Sequence, residues 1–459
     1  MLVVATTTAD SRDTDIISRL DRIPIWPYRT SLLWIVGIGF LIAFFDITNV
    51  AFGLPVIIKQ LHLTSGEAAI PITSSLLGYI LGSYLNSSVA DIVGRKSGIF
   101  WATALFTFGS LATVFSFSLT WLVAFRFITG MGIGAEIAAI ATYIGEMSPA
   151  PVRGRYTGWA NVFSFGGFAV VPFVALVLVP NFSWGWRGMF FVGALAGLTM
   201  IGIRRIPESP RWLLSKGRVE EADSIVVEAE DRARAKLGRD LPLPQAGVGE
   251  QRTQRFPTGE LLHPPYVGRL VLLLVIWIFL YLSDYAWLGL APTFLVDKGF
   301  SLASSIVFLL VTGIGYPVGA ILAAILGDAF ERKYTIALVT LVWAVGLAAV
   351  GLFPSPAVIY VAGFILSTAL ALFFPLMYAL TAESFPTRAR ASGVSLTDGV
   401  GHVGGALAPI IALAAYAWAG IASGFASAFL YMAITGLIAA ILIPFGIAAT
   451  RRSLEVVNR

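Results

Sequence analysis

Twelve apolar stretches, the first near 31–58 and the last near 422–447, run through this chain of 459 residues. Each is long enough to cross a hydrocarbon core of about 30 Å as a helix. In a bilayer no water bonds the backbone, so a spanning segment must satisfy its own N–H and C=O groups, and a helix does so unaided. A composition of 57% hydrophobic and 12% charged residues lies far outside soluble averages. The expected fold is an all-α membrane protein, with twelve transmembrane helices in two pseudo-symmetric six-helix halves. Residues 1–30 form a cytoplasmic N-terminal segment, 31–204 the first half and 205–266 a cytoplasmic central loop with one or two short amphipathic helices. The second half is 267–447, and 448–459 is a cytoplasmic tail.

The halves repeat one another. DIVGRK (Asp91 to Lys96) returns in the second half as DAFERK (Asp328 to Lys333). Each aspartate is followed, at the same distance along the chain, by a glutamate in E-x-x-P with arginines behind it: Glu146, Pro149, Arg153 and Arg155, then Glu383, Pro386, Arg388 and Arg390. A pattern that returns at one fixed offset, that from Asp91 to Asp328, marks two homologous halves. With the N-terminus inside and twelve crossings, cytoplasmic segments hold 27 of the 31 Lys and Arg residues. The opposite side holds only Lys59, Arg187 and Lys298, and Arg126 lies within a helix. The expected topology is a multi-pass cell-membrane protein with both ends cytoplasmic. This bias accounts for the net charge of +5, so no nucleic-acid partner is implied. The first 30 residues are too polar for a cleaved signal peptide. The absence of cysteine removes disulfides, thiolate metal sites and thiol catalysis. No metal and no cofactor are expected, and no catalytic residue is assigned; the partners are a small-molecule substrate and the lipid bilayer, and a monomer is expected.

The motifs resemble those of the major facilitator superfamily, in its sugar and metabolite:proton symporter branch. DIVGRK stands where that superfamily carries D-x-x-G-R-[RK] between helices 2 and 3. RFITGMGIGAE opens helix 4, EMSPAPVRGR closes it, and PESPRWLL (Pro207 to Leu214) follows helix 6. The charged groups at these helix ends are the expected cytoplasmic gate: Asp91, Gly94, Arg95, Lys96, Glu146, Arg153, Arg155, Glu208 and Arg211, with Asp328, Arg332, Glu383, Arg388 and Arg390. Pairing only while the helix ends are close, they would hold the outward-facing state shut. Each rim pair is worth about 0–1 kcal/mol, so such a lock needs several. The plainer alternative is that the arginines only satisfy topology. The second copy has Glu331 where the first has Gly94.

Ionisable residues inside spans are costly and usually functional. Asp46 lies 15 residues past Ser31, about 22 Å deep at 1.5 Å per residue. Arg126, on a helix running the other way, reaches about the same depth, so the two can meet. Protonating the carboxylate would release the arginine, which would couple protons to movement. The resemblance implies the same role, because proton-coupled sugar porters carry an aspartate and an arginine at these positions. The alternative is a static pair that fixes helix packing. Glu136, ten residues beyond Arg126, is about 15 Å deeper and turned by about 80°; it is either protonated or paired with a neighbouring helix.

The repeat carries Asn161 to Asp398 and, with one residue of offset, Asp46 to Asp284. Residues related by a pseudo-two-fold axis converge on the cavity between halves, so these four are its expected polar lining. His402 shares a helix face with Asp398 and either binds protons or anions or orients the helix. Phe165, Phe168, Tyr281, Tyr285, Trp287, Phe374 and Tyr378 lie on helices that border the cavity and favour a partly apolar ligand.

Sugar porters place glutamine where this chain has Phe168, and a Gln pair with a nearby Asn on helix 7, where YLSDYAWLGLAP has none. A hexose needs many hydrogen-bond partners, so sugar is not the first choice. The lead-in SRLDRIP and the acidic helix 1 resemble the nicotinate, aromatic-acid and synaptic-vesicle-glycoprotein-like symporters, which implies a small organic acid anchored by Arg126 or His402. Four carboxylates against one arginine and one histidine favour a cation instead. A sensor that retains the carrier fold without transport is a further alternative. An enzyme is not expected, since no H-E-x-x-H, G-x-S-x-G or P-loop occurs and there are three histidines. The reading is an alternating-access carrier that moves a small organic metabolite with protons.

Overall fold

The computed structural model describes residues 15–244, 258–326, 329–386, 389–448 and 450. Among them, twelve helices are long and apolar enough to span a membrane. The first six are α1 (Thr30–Gln60), α2 (Gly66–Val93), α3 (Arg95–Val114), α4 (Leu119–Met147), α5 (Ala150–Leu178) and α6 (Gly185–Ile203). The second six are α7 (Tyr266–Asp297), α8 (Leu302–Ala323), α9 (Arg332–Leu352), α10 (Pro356–Glu383), α11 (Ser392–Trp418) and α12 (Ser423–Phe445). Helix α1 starts on the face that carries the Arg- and Lys-rich connections, called here the basic face; the opposite one is the far face. Large apolar side chains such as Trp101, Phe108, Phe173, Val345 and Val361 point outward, as a bilayer requires.

The repeat read in the sequence is also a repeat of packing. Helix α2 packs on α4, α3 on α4, α1 on α5 and α3 on α6; α8 on α10, α9 on α10, α7 on α11 and α9 on α12 match them one for one. Local breaks recur at the same offset: Pro55 in α1 and Pro172 in α5 correspond to Pro292 in α7 and Pro409 in α11. Each proline removes one backbone hydrogen bond and bends its helix.

In lipid, helices associate through close packing rather than hydrophobic expulsion, and small residues permit it. Gly78 and Gly82 of α2 face Gly130 and Gly134 of α4, and a Cβ on Gly130 would sit 1.9 Å from the Ser75 carbonyl oxygen. The second half repeats this with Gly315 and Gly319 of α8 against α10. Gly130→Leu is therefore expected to cost about 1–3 kcal/mol by overpacking, seen as a lower thermal midpoint of the purified protein. An unchanged midpoint would contradict the packing.

Between α6 and α7 two shorter helices, Pro210–Ser215 and Val219–Leu237, lie on the basic face. A short helix at 15–21 docks on them: Ile16, Leu20 and Trp26 share a core with Leu213, Val226 and Ala229. Arg19 and Arg22 bond the Glu230 carboxylate at 2.9 and 2.5 Å. Burial alone would raise that carboxyl above its usual range, but the two guanidinium groups outweigh it and hold it below.

The halves meet through α1–α7, α2–α11 and α5–α8. Toward the far face, Thr73 donates to the Ala406 carbonyl at 2.8 Å and Ile72 packs on Gly289. On the basic side Asn161 and Tyr378 are exposed. The cleft between the halves thus opens toward the basic face.

Candidate functional site

The charged belt on the basic face is built within each half. Arg95 bonds Glu146 at 2.9 Å and also pairs with Asp91. Glu208 accepts from the backbone N–H groups of Arg95 and Lys96 at 3.0 and 3.2 Å, satisfying donors that the start of α3 leaves free. Gly94 is required there twice over: its φ is +109°, and a Cβ would lie 2.4 Å from the Glu208 Oε2. Asp21 accepts from Arg211 at 2.8 Å, from Arg153 at 3.4 Å and from the Ala150 N–H at 3.1 Å. Arg155 is exposed and has no ion pair among the described residues.

In the second half Arg332 pairs with Glu383, the counterparts of Arg95 and Glu146. Glu331 replaces Gly94 without strain, because its φ is −60°. Its carboxylate accepts from the Thr450 hydroxyl, whose oxygen accepts the Arg332 N–H at 2.8 Å. Thr450 thus does for α9 what Glu208 does for α3. Asp328 and Arg388 lie outside the described residues, as does the side chain of Arg390. Among the described residues no pair of this belt joins the two halves. Arg95–Glu146 and Arg332–Glu383 each join two neighbouring helices of one half, α3 to α4 and α9 to α10.

At mid-depth Asp46 and Arg126 are fully buried and form an ion pair. Arg126 also donates to the Asp46 carbonyl at 3.2 Å and to the Ser75 hydroxyl at 3.1 Å, with the Phe190 ring 5.2 Å from its guanidinium carbon. The Ser110 hydroxyl donates to the other Asp46 oxygen. Helix α6 closes over the pair at Gly193, where a Cβ would come within 2.1 Å of the carboxylate. Asp46 thus sits inside the first half and does not line the cleft, because its partners on α3 and α4 draw it inward. Asp284, its counterpart, is also buried, but Oδ1 has no hydrogen-bond partner. The repeat explains the difference, since the position matching Arg126 is Gly363.

Across the cleft the second half presents an acidic aromatic cluster. Asp398 lies in a π-helical turn, Ser395–Gly399, a distortion frequent at functional sites. One of its oxygens accepts from both Tyr281 and Tyr378, the latter at 3.2 Å. The His402 Nδ1 lies 2.9 Å from the Asp398 carbonyl, so Nδ1 carries the donating proton. His402 is sandwiched between Tyr281, at 4.2 Å between ring centres, and Tyr79 of the first half, at 4.8 Å. Phe165 stacks on Tyr316 at 6.2 Å and meets Phe374 at 6.4 Å. Asn161, one and two turns before Phe165 and Phe168, shares their face. Trp287 departs from expectation: its ring packs on Trp343 and Phe429 inside the second half, and only its N–H edge meets Tyr316.

Two residues that the sequence reading missed complete the contact between halves, and the repeat could have found them. Tyr79 and Tyr316 occupy matching positions in the two halves, as do Phe165 and His402. Each tyrosine stacks on the opposite half's member of the second pair, which gives two symmetry-related seams, one apolar and one bearing an imidazole.

Residues 38–459 match the model of the sugar (and other) transporter family. The chain belongs to that family. Similar members include a niacin transporter of Acinetobacter baylyi, 30% identical over 86% of this chain and 89% of its own. A 4-hydroxybenzoate transporter of Pseudomonas aeruginosa is 26% identical over 86% of this chain and 87% of its own. Among solved structures, the inward-open xylose transporter of E. coli aligns over 94% of this chain and 99% of its own, with a TM-score of 0.73 at 19% identity, a likeness of fold. This member of the family is thus a multi-pass sugar/metabolite transporter of the major facilitator fold and not an enzyme. Within that fold the buried Asp46–Arg126 pair and the aromatic cleft are separate clusters, and Ser75, which bonds Arg126, lines a small void together with Tyr79 and Tyr285.

Proposed function

We propose that this transporter is a proton-coupled symporter of a small aromatic carboxylic acid, with both chain ends cytoplasmic and the basic face inside. The observation that carries the coupling is the fully buried Asp46–Arg126 pair. Protonating Asp46 releases the guanidinium, whose bonds to the Asp46 carbonyl and Ser75 tie α4 to α1 and α2. A charge left unpaired there is costly, so protonation and helix movement are linked. No cofactor takes part; the proton is the coupling ion. The acid would lie between Phe165, Tyr316, Phe374 and Tyr281, with its carboxylate toward His402. Relatives named for niacin and 4-hydroxybenzoate, both aromatic acids, support that ligand. The positive bias of the basic face supports the orientation.

A second reading rests on Asp284 and Asp398, which face no arginine or lysine among the described ion pairs; an aromatic organic cation would satisfy both. Thermal stabilisation of the purified protein by aromatic acids, sugars and organic cations, near pH 5 and near pH 7.5, separates the two. Stabilisation by acids, stronger at the lower pH, supports the first reading, and stabilisation by cations at the higher pH overturns it. Asp398→Asn, which removes the negative charge but keeps an oxygen to accept from Tyr281 and Tyr378, is expected to shift the affinity of the stabilising ligand about tenfold, tighter for an acid and weaker for a cation. Wild-type affinity in that variant would remove Asp398 from the site.

A further inference from the structure

Glu136 of α4 has no place in the mechanism so far. It is fully buried; Oε1 accepts from the Thr103 hydroxyl at 2.9 Å, and Oε2 has no partner. The charged groups on the helices packed around it are Asp46 and Lys59 on α1, Glu67 and Asp91 on α2, Arg95 and Lys96 on α3, Arg126 and Glu146 on α4, and Arg153 and Arg155 on α5. None of them forms an ion pair with Glu136 among the described residues. A carboxyl at this depth with no cation beside it is a group whose charge nothing compensates.

Helix α3 joins this carboxyl to Asp46. Thr103, Thr107 and Ser110 stand at i, i+4 and i+7 and therefore share one face. Thr103 bonds Glu136, Ser110 bonds Asp46, and the Thr107 hydroxyl between them is buried without a partner. Helix α6 covers this row where its backbone changes to a 3-10 turn, Leu195–Leu198. Gly197 there abuts Thr107, as Gly193 one turn earlier abuts Asp46. Such a mid-helix turn often marks a hinge. Beyond Glu136, Tyr143 continues the same face of α4, and its hydroxyl bonds the Pro207 carbonyl on the basic face at 2.7 Å.

We propose that Glu136 is a second proton-carrying site of the first half, linked by the α3 hydroxyl row to the Asp46–Arg126 pair and passing the proton toward the basic face. The proposal rests on the proton-coupled reading above. In the transfer the Asp46 carboxyl gives up its proton, each hydroxyl passes one on as it receives one, and the Glu136 carboxylate takes the last. Asp46 is left as the anion that pairs with Arg126, and no other reactant is needed.

The test is infrared difference spectroscopy of the full chain in lipid vesicles, stepped between about pH 5 and pH 9, the range over which buried carboxyl groups exchange protons. The expected result is a pH-dependent carbonyl band lost in Glu136→Gln and shifted in Thr103→Val, which removes the donor but leaves the carboxyl. Thr107→Val is expected to slow proton exchange between the sites at least about tenfold after a pH jump, one lost relay partner being worth a decade or more. A spectrum unchanged by Glu136→Gln, or unshifted by Thr103→Val should the first variant not fold, overturns the proposal and leaves Glu136 as a fixed packing partner. An unchanged rate in Thr107→Val overturns the hydroxyl route. Asp46→Asn is read separately in the same experiment: if it removes no band, the Asp46 reading fails while the Glu136 bands still decide their own question.

Discussion

Asp46→Asn is expected to abolish accumulation driven by a pH gradient while sparing exchange of labelled substrate at equal pH on both sides. One proton per substrate across two pH units supports about a hundredfold accumulation, since every 1.4 kcal/mol is tenfold. Without that proton the ratio falls to about one. Asparagine keeps the shape: its one carbonyl oxygen can accept from Arg126 while its NH2 donates to the Ser110 hydroxyl, which turns to accept, so the helices stay packed and the carrier still cycles. What is lost is the change of charge that releases Arg126. Accumulation by this variant at the wild-type ratio would remove Asp46 from the coupling step.

Arg126→Leu is expected to be the most destabilising single substitution at this site, by about 3–5 kcal/mol, because it leaves a fully buried carboxylate without its partner. The Asp46 carbonyl and the Ser75 hydroxyl lose their donor as well. Combining it with Asp46→Asn removes the orphaned charge, so the double variant should be more stable than Arg126→Leu alone. Thermal midpoints of the four proteins at one pH close the cycle. Additive losses would show that the two side chains do not interact energetically.

The fold was legible because its two determinants are local and repeated: apolar length sets the spans, and the constant offset that carries Asp91 to Asp328 sets the symmetry. The Asp46–Arg126 contact was legible for a related reason, since helix rise alone places both at one depth. Rotation about the helix axis was harder to read. Trp287 lies on a helix that borders the cleft, but its ring turns into the second half against Trp343 and Phe429, and an aromatic residue carries no sequence mark of which face it occupies. The belt of charges was legible as residues but not as pairs, because which acid Arg95 reaches depends on how α3 packs against its neighbours, and it bonds both Glu146 and Asp91. Tyr79 and Tyr316 were missed because only Asn161 and Asp46 were carried through the repeat; the same arithmetic applied to aromatic residues finds both.

The most direct measurement is the external pH of weakly buffered proteoliposomes when the acid that best stabilises the protein is added outside. Symport predicts alkalinisation of the medium that tracks uptake of the labelled acid, present with the wild type and absent with Asp46→Asn. Uptake of the acid by the wild type with no accompanying proton movement would contradict the account.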